Sequence, residues 1–168
     1  MKKIYILVPF LLFLLNCIGL KAQTIWTGST KTFTKEKNGD WTLEANQDRI
    51  TSNVWLTRGD NGGIFNFVAE PMGASTISPK DTEWAYGTTA NYASLTYQNL
   101  KALKGGNFGS IIDGQDLVLH LITDNIYMDI KFTSWKSGKG GGFSYERSTD
   151  QSIATKEFNL LKMCRNEM

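Results

Sequence analysis

The chain has 168 residues, of which 41% are hydrophobic and 20% charged, with 16 glycines and 3 prolines. This composition is typical of a globular protein and excludes a disordered chain. The formal net charge of +2 excludes a strongly basic protein that binds nucleic acid through its charge alone.

The N-terminal sequence MKKIYILVPFLLFLLNCIGLKAQ has the pattern of a secretory signal peptide. Lys2 and Lys3 precede an apolar run, and Leu20-Lys21-Ala22 fits a cleavage site. An uncleaved anchor is the alternative, but the apolar run is shorter than the about 20 residues that a spanning helix needs. We predict that residues 1–22 are a signal peptide, that the protein is exported to the periplasm, the cell surface or the medium, and that no membrane span remains.

Cleavage changes the charge and cysteine content of the predicted mature chain. Three of the 18 basic residues leave with the signal peptide, so 15 remain against 16 acidic ones and the net charge becomes −1. No nucleic-acid partner is therefore predicted. Lipidation at Cys17 is disfavoured by Asn16, and Cys164 is left without an internal disulfide partner.

Short alternating runs between turn residues predict an all-β domain over residues 23–149. TIWTGSTKTFTK alternates, Asn38-Gly39 predicts a tight turn, and DRITSNVWLTRG reads as one strand whose apolar residues need a core. IFNFVAE, at 64–70, is the returning strand after the DNGG turn.

Residues 71–89 contain two of the three prolines and little periodicity, which predicts a long excursion with at most one short strand. ANYASLTYQNLKAL, at 90–103, fits either a strand or a short helix in its second half. The Gly-rich GKGGG predicts a flexible turn between two strands, and residues 150–168 predict a tail or a short helix.

DLVLHLITDNIYMDIKFTSW, at 116–135, predicts the central hairpin. With Asp124-Asn125 as a two-residue loop, one face carries six apolar side chains: Leu117, Leu119, Leu121, Met128, Ile130 and Phe132. The same register places His120 opposite Asp129 on a mixed face, and parity assigns Trp135 to that face. The predicted fold class is all-β, a single antiparallel β-sandwich of jelly-roll type.

Four segments together resemble a group of secreted bacterial β-modules that have no assigned activity. They are NQDRITSNVWLTRGDNGGIFN, SPKDTEWAYGTTAN, DLVLHLITDNIYMDIKFTSW and GKGGGFSYERST, within residues 25–149. The resemblance implies a secreted, surface-associated β-sandwich and brings no catalytic residues. The 19-residue end after Thr149 differs from the sorting tail that often follows such modules.

Two kinds of chemistry have candidate residues. His120 beside Asp129 is a base with an orienting carboxylate, but no nucleophile accompanies the pair, and a cross-strand pair in the sheet is the favoured interpretation. Asp60, Asn61, Asp81 and Glu83 are loop oxygen ligands that make Ca²⁺ a candidate cofactor, although no calcium-binding motif is present.

Aromatic side chains are the richer pattern. Trp84 and Tyr86 in the excursion, together with Trp135, are the candidate ligand-binding residues, because aromatic faces stack on sugar rings. The favoured function is therefore an exported, non-catalytic module that binds a glycan or a surface protein. The alternatives are an interaction domain of an envelope-associated assembly and, less favoured, a hydrolase that uses His120 and Asp129.

Overall fold

The computed structural model describes residues 22–71, 77, 79–105 and 114–152. Residues 1–21 of the predicted signal peptide, with Cys17, and almost all of the C-terminal segment, with Cys164, lie outside the described residues. Nine strands are described, together with the 3₁₀ helices Glu44–Asn46 and Thr89–Ser94 and the short helix α1, Leu100–Leu103. The strands are β1 Thr24–Trp26, β2 Lys31–Lys35, β3 Asp48–Arg49, β4 Trp55–Arg58, β5 Ile64–Asn66, β6 Thr82–Tyr86, β7 Asp116–Leu121, β8 Ile126–Trp135 and β9 Phe143–Arg147.

The strands form two sheets. The larger has the order β2-β9-β8-β7-β6, and β1 adds a parallel pair at the start of β8. The smaller has the order β3-β4-β5, and all its pairs are antiparallel. The all-β prediction is confirmed, whereas the jelly-roll type is not, since a jelly roll divides eight strands between two sheets and these sheets have six and three.

One hydrophobic core lies between the sheets. The smaller sheet and the loop before β4 contribute Val54, Leu56 and Ile64, and the larger sheet contributes residues such as Trp84 and Phe132. The six apolar side chains predicted for the 117–132 hairpin are all at most 2% exposed. At about 1.5–3 kcal/mol for each fully buried large side chain, this hairpin is a main source of folding free energy.

The loop of this hairpin is longer than predicted. Leu121 pairs with Ile126, so the loop spans 122–125 and the register differs by two residues from the predicted one. Asp124 is buried because its carboxylate accepts hydrogen bonds from Thr51 Oγ1 at 2.5 Å and Asn53 Nδ2 at 2.8 Å. The side chain is thus tied to the loop between β3 and β4 and is not free at a two-residue turn. A two-residue shift preserves parity, which is why the predicted faces are correct.

A β-bulge near the end of β8 changes parity. The pairing passes from Phe132 opposite Tyr145 to Ser134 opposite Ser144. The extra residue turns Trp135 toward the core side, where it pairs with Phe143 and packs against the hydrophobic core. The predicted position of Trp135 on the mixed face is therefore wrong.

One further segment differs from prediction and two agree with it. DRITSNVWLTRG forms two strands, β3 and β4. The long excursion contains one short strand, β6, which pairs with β7, and Trp84 of this strand also forms a bridge with Gln98. Residues 90–103 form the end of a 3₁₀ helix and then α1, for which Asn99 is the cap, its Oδ1 accepting a hydrogen bond from Ala102 N at 2.8 Å.

Candidate functional site

The outer face of the larger sheet carries a row of polar and aromatic side chains. Strand register places Tyr127 on β8 opposite His120 on β7, and His120 opposite Glu83 on β6. All three alternate with core residues along their strands, so they point away from the core. This row is the centre of the candidate site.

His120 is held on three sides by this row and the hairpin loop. Its ring stacks on Tyr127 with centroids 3.9 Å apart and planes 5° apart, and its Nδ1 lies 2.7 Å from Glu83 Oε1. Its Nε2 lies 3.4 Å from Asn125 Oδ1. The residue is only 7% exposed. With an oxygen atom at each ring nitrogen, the imidazole is engaged in the structure and has no nitrogen directed at an open substrate position.

Residues 88–98 lie over the same face. Asp129 anchors them: its carboxylate accepts hydrogen bonds from Thr89 N at 2.6 Å and Thr89 Oγ1 at 2.8 Å, at the start of the 3₁₀ helix. Tyr92 and Tyr97 then contact Tyr127, with centroids 5.0 Å and 5.7 Å from its ring. We call Tyr92, Tyr97 and Tyr127 the tyrosine cluster, and each of its members is partly exposed.

The hydroxyls of Tyr97 and Tyr127 have perturbed acidity. Partial burial, followed by the negative charges of neighbouring groups that include Glu83, raises the pKa of Tyr97 to about 12. Partial burial and Glu83 also raise the pKa of Tyr127. Both hydroxyls are therefore neutral at physiological pH, so they can donate and accept hydrogen bonds but do not serve as phenolate bases.

An open cleft of about 290 Å³ adjoins the cluster. Asp129 lines it at one end, and Lys131, Asp116 and Glu146 form a row across it, with Lys131 Nζ 3.0 Å from Asp116 Oδ1. The rest of the lining combines three hydroxyl-bearing residues with two aliphatic residues and an arginine: Thr30, Thr88, Ser148, Leu117, Ile130 and Arg147. The volume is at the lower end of the about 300–1,000 Å³ typical of ligand pockets, and the lining mixes carboxylates, an ammonium and hydroxyls.

The predicted catalytic pair does not form. His120 faces Tyr127 and bonds Glu83, while the carboxylate of Asp129 is occupied by Thr89. The pairing was wrong because it depended on a two-residue loop, and the four-residue loop moves every cross-strand partner by two positions. The hydrolase hypothesis loses the pair on which it rested.

The three predicted ligand-binding residues lie apart from one another. Trp84 is completely buried, stacks on Phe132 and donates from Nε1 to Thr82 Oγ1 at 3.0 Å, so it offers no face to a ligand. Tyr86 is 43% exposed, and Lys104 Nζ lies 4.7 Å from its ring centroid. Trp135 is half-buried under the Arg58 guanidinium, at 3.7 Å. These three residues do not form one surface.

The predicted calcium ligands are also divided. Asp60 and Asn61 lie in the β4–β5 loop, which contacts the Gly-rich turn after β8, while Asp81 bonds Thr123 in the loop before β8. The two groups therefore lie at opposite ends of a ten-residue strand, about 30 Å long. Glu83 bonds His120. Within the described ranges, no group of three or more His, Cys, Asp or Glu side chains is arranged to hold a metal ion.

A second aromatic group covers the outer face of the smaller sheet. Arg49, Trp55 and Phe67 form a row in which the guanidinium lies 4.1 Å from the Trp55 ring and the Phe67 ring lies parallel to Trp55 within 9°. Trp41 packs edge-on against Phe67 and Phe65. Both faces of Trp55 are therefore covered by protein groups, which makes this row a packing element.

Sequence reasoning did not bring Tyr92 and Tyr97 to Tyr127. Their separation from Tyr127 along the chain is about 30 residues, and the contact depends on how residues 88–98 return over the sheet.

Comparison with protein-family models, with curated proteins and with solved structures gives no match. Across the part of the chain that the structure describes, no helix is long and apolar enough to span a membrane.

Proposed function

We propose that this protein is an exported, non-catalytic binding module that binds a carbohydrate on the outer face of its larger sheet. The single observation that carries the proposal is the partly exposed tyrosine cluster next to a polar cleft, with Asp129 lining the cleft and holding Thr89 at the start of the segment that carries Tyr92 and Tyr97. The N-terminal pattern of Lys2, Lys3 and the following apolar run supports export.

The chemistry of the two parts is complementary to a sugar. Tyrosine rings present apolar faces to the C–H faces of a pyranose, and their hydroxyls supply a hydrogen bond at the edge. The cleft supplies carboxylate and hydroxyl acceptors together with the Lys131 ammonium, which suits a ligand with many hydroxyl groups. Because three carboxylates, those of Asp116, Asp129 and Glu146, outnumber the two cations Lys131 and Arg147 in the cleft lining, a neutral glycan is favoured over a polyanion at this face.

Binding rather than catalysis is favoured by the way in which the reactive side chains are engaged. Side-chain oxygens of Glu83 and Asn125 lie at the two ring nitrogens of His120, and the carboxylate of Asp129 accepts a hydrogen bond from Thr89 N. These contacts position residues 88–98 and the ring of Tyr127 in advance, which lowers the conformational cost of binding.

A glycan array with the mature protein tests the proposal. We expect binding to one class of neutral glycan, with Tyr92→Ala and Tyr127→Ala each weakening it about tenfold, because aromatic anchors commonly contribute more than about 1 kcal/mol. Tyr86→Ala is the matched control, since Tyr86 is an exposed tyrosine of the same sheet that lies outside the cluster.

Folding of each variant is checked by its near-UV circular dichroism, because Tyr127 also packs on His120. Absence of binding to every glycan by the wild type would overturn the proposal. Equal loss in the Tyr86→Ala control would remove the tyrosine cluster as the binding surface.

A further inference from the structure

The first strand of the domain begins close to the predicted signal-peptide cleavage site. Strand β1 starts at Thr24, whose backbone N–H donates a hydrogen bond to Asn125 O at 2.9 Å. All three residues of β1 pair in parallel with the first three residues of β8. Only Gln23 separates this strand from Ala22, the last residue of the predicted signal peptide.

Strand β1 belongs to the packed part of the domain. Trp26, its last residue, packs against the hydrophobic core. The chain that follows is bonded to the segment after β9, since Gly28 N donates to Thr149 O at 2.7 Å. A cut beyond Thr24 would remove the pairing of β1 with β8, so a cut on the N-terminal side of Thr24 is the one that leaves the domain intact.

Gln23, in contrast, is exposed at the edge of the domain. Within the described part of the chain, its side chain forms no hydrogen bond with another residue. The next residue, Thr24, is held by Asn125 O. One exposed glutamine therefore precedes the strand, and its primary amide is free to fold back on its own backbone nitrogen.

Cleavage after Ala22 converts the backbone nitrogen of Gln23 into an α-amine, which is a nucleophile next to its own side-chain amide. An ordinary α-amino group has a pKa of about 7.7–8.0, so part of it is neutral and nucleophilic at neutral pH. Attack on Cδ forms the N–Cδ bond of a lactam and breaks the Cδ–Nε2 bond. The departing nitrogen takes the proton that the amine loses and leaves as ammonia. No oxidant, reductant or other reactant is needed, and the proximity of two groups in one residue favours the step.

We propose that Gln23 becomes the N-terminal residue of the exported protein and cyclises to pyroglutamate, which caps β1. This inference rests on the export proposed above. The lactam removes the positive charge of the terminal amine and leaves no free amine for an aminopeptidase. Because β1 follows at once, the cap protects a strand whose loss would uncover the core beside Trp26.

Mass spectrometry of the exported protein tests the modification. The full chain is produced in a bacterial host that exports it, and the protein is collected at neutral pH from the periplasm or the medium. We expect the polypeptide to begin at Gln23 and its N-terminal peptide to be lighter than the open form by one ammonia. Incubation with an aminopeptidase should leave this N-terminus unchanged.

Gln23→Asn is the matched control, because its shorter side chain keeps the primary amide but would have to close a smaller, strained ring. Its N-terminal peptide should keep the ammonia, and the aminopeptidase should remove residue 23. A synthetic peptide with the sequence of residues 23–31, handled in parallel, measures cyclisation that occurs during sample preparation. The cyclised fraction of the exported protein should be several-fold larger than that of the peptide.

The possible results separate this inference from the proposed function. A protein that begins at Gln23 with an open amine, or that is cyclised no more than the peptide, would overturn the cyclisation and leave export intact. A protein that retains residues 1–22, or that begins anywhere other than Gln23, would overturn the cleavage boundary and the cyclisation together. Carbohydrate binding is measured separately on the glycan array and does not depend on either result.

Discussion

Replacing Asp48 by Asn should destabilise the protein strongly, because Asp48 joins the two sheets through a buried ion pair. The carboxylate of Asp48, on β3, is completely buried and accepts two hydrogen bonds from Arg147 on β9, Nε to Oδ2 at 2.6 Å and a terminal guanidinium nitrogen to Oδ1 at 3.0 Å. Tyr145 Oη and Lys31 Nζ each donate at 2.8 Å. Four donors thus converge on one carboxylate.

The expected magnitude follows from what the substitution leaves behind. Asp48→Asn removes the negative charge while Arg147 stays 5% exposed, and breaking a buried pair from one side costs about 3–5 kcal/mol. For a domain of this size, that loss corresponds to a fall in Tm of roughly 10–20 °C. Urea unfolding followed by tryptophan fluorescence measures the free-energy change directly.

The pH dependence supplies a second signature. Burial acts to raise the pKa of Asp48, but the hydrogen bonds and charges of Arg147 and Lys31 outweigh it, so the folded-state pKa lies below the usual value. A depressed carboxyl pKa contributes stability that is fully present above the unfolded-state value of about 3.9 and is lost as pH falls through the folded value. Wild-type stability should therefore fall more steeply below about pH 4 than that of Asp48→Asn.

Asp116→Asn is the control, since Asp116 pairs with Lys131 on the surface with 63% of its side chain exposed. Such a pair contributes about 0–1 kcal/mol. Equal destabilisation by the two substitutions, or an unchanged acid limb in Asp48→Asn, would refute the reasoning that the buried network joins the sheets.

Three further predictions concern the outer face and the core. Asp129→Ala removes the carboxylate that accepts hydrogen bonds from Thr89 N and Thr89 Oγ1. Hydrogen exchange at the Thr89 amide should become faster, and the free energy of unfolding should fall by about 1 kcal/mol. Unchanged exchange would contradict the anchoring role of Asp129. The pKa of Tyr97 is raised to about 12, so its neutral hydroxyl contributes folding stability that is present below the unfolded-state pKa of about 10 and is lost as pH rises toward 12. Tyr97→Phe should therefore remove one late step from the ultraviolet absorbance titration and reduce the loss of stability at alkaline pH. Trp84→Ala should cost about 3–5 kcal/mol in urea unfolding, whereas Tyr86→Ala should cost much less because Tyr86 is exposed, and similar costs would show that the core placement of Trp84 is wrong.

Alternation along the strands was enough to predict the core face of the central hairpin. Leu117, Leu119 and Leu121 on one strand, and Met128, Ile130 and Phe132 on the other, are buried as the period of two requires. The prediction survived an error of two residues in register because such a shift leaves every side chain on its own face. Local patterning, which depends only on the backbone geometry of a strand, therefore determined the fold class.

Cross-strand partners required long-range contacts that no local pattern contains. The carboxylate of Asp124 accepts hydrogen bonds from Thr51 and Asn53, which lie about 70 residues earlier in the chain. Asp124 belongs to the four-residue loop whose length sets the register that places His120 opposite Tyr127. The bulge beside Ser134 reversed the parity of Trp135, and it too depends on pairing with β9.

The sequence by itself therefore determined the all-β class and the sides of the hairpin strands, because period-two patterning is a property of each strand alone. Only the tertiary structure decided which polar groups meet, since this depends on register, on the return of residues 88–98 over the sheet and on the approach of the smaller sheet. The contact of His120 with Glu83 and the tyrosine cluster both arise at that level.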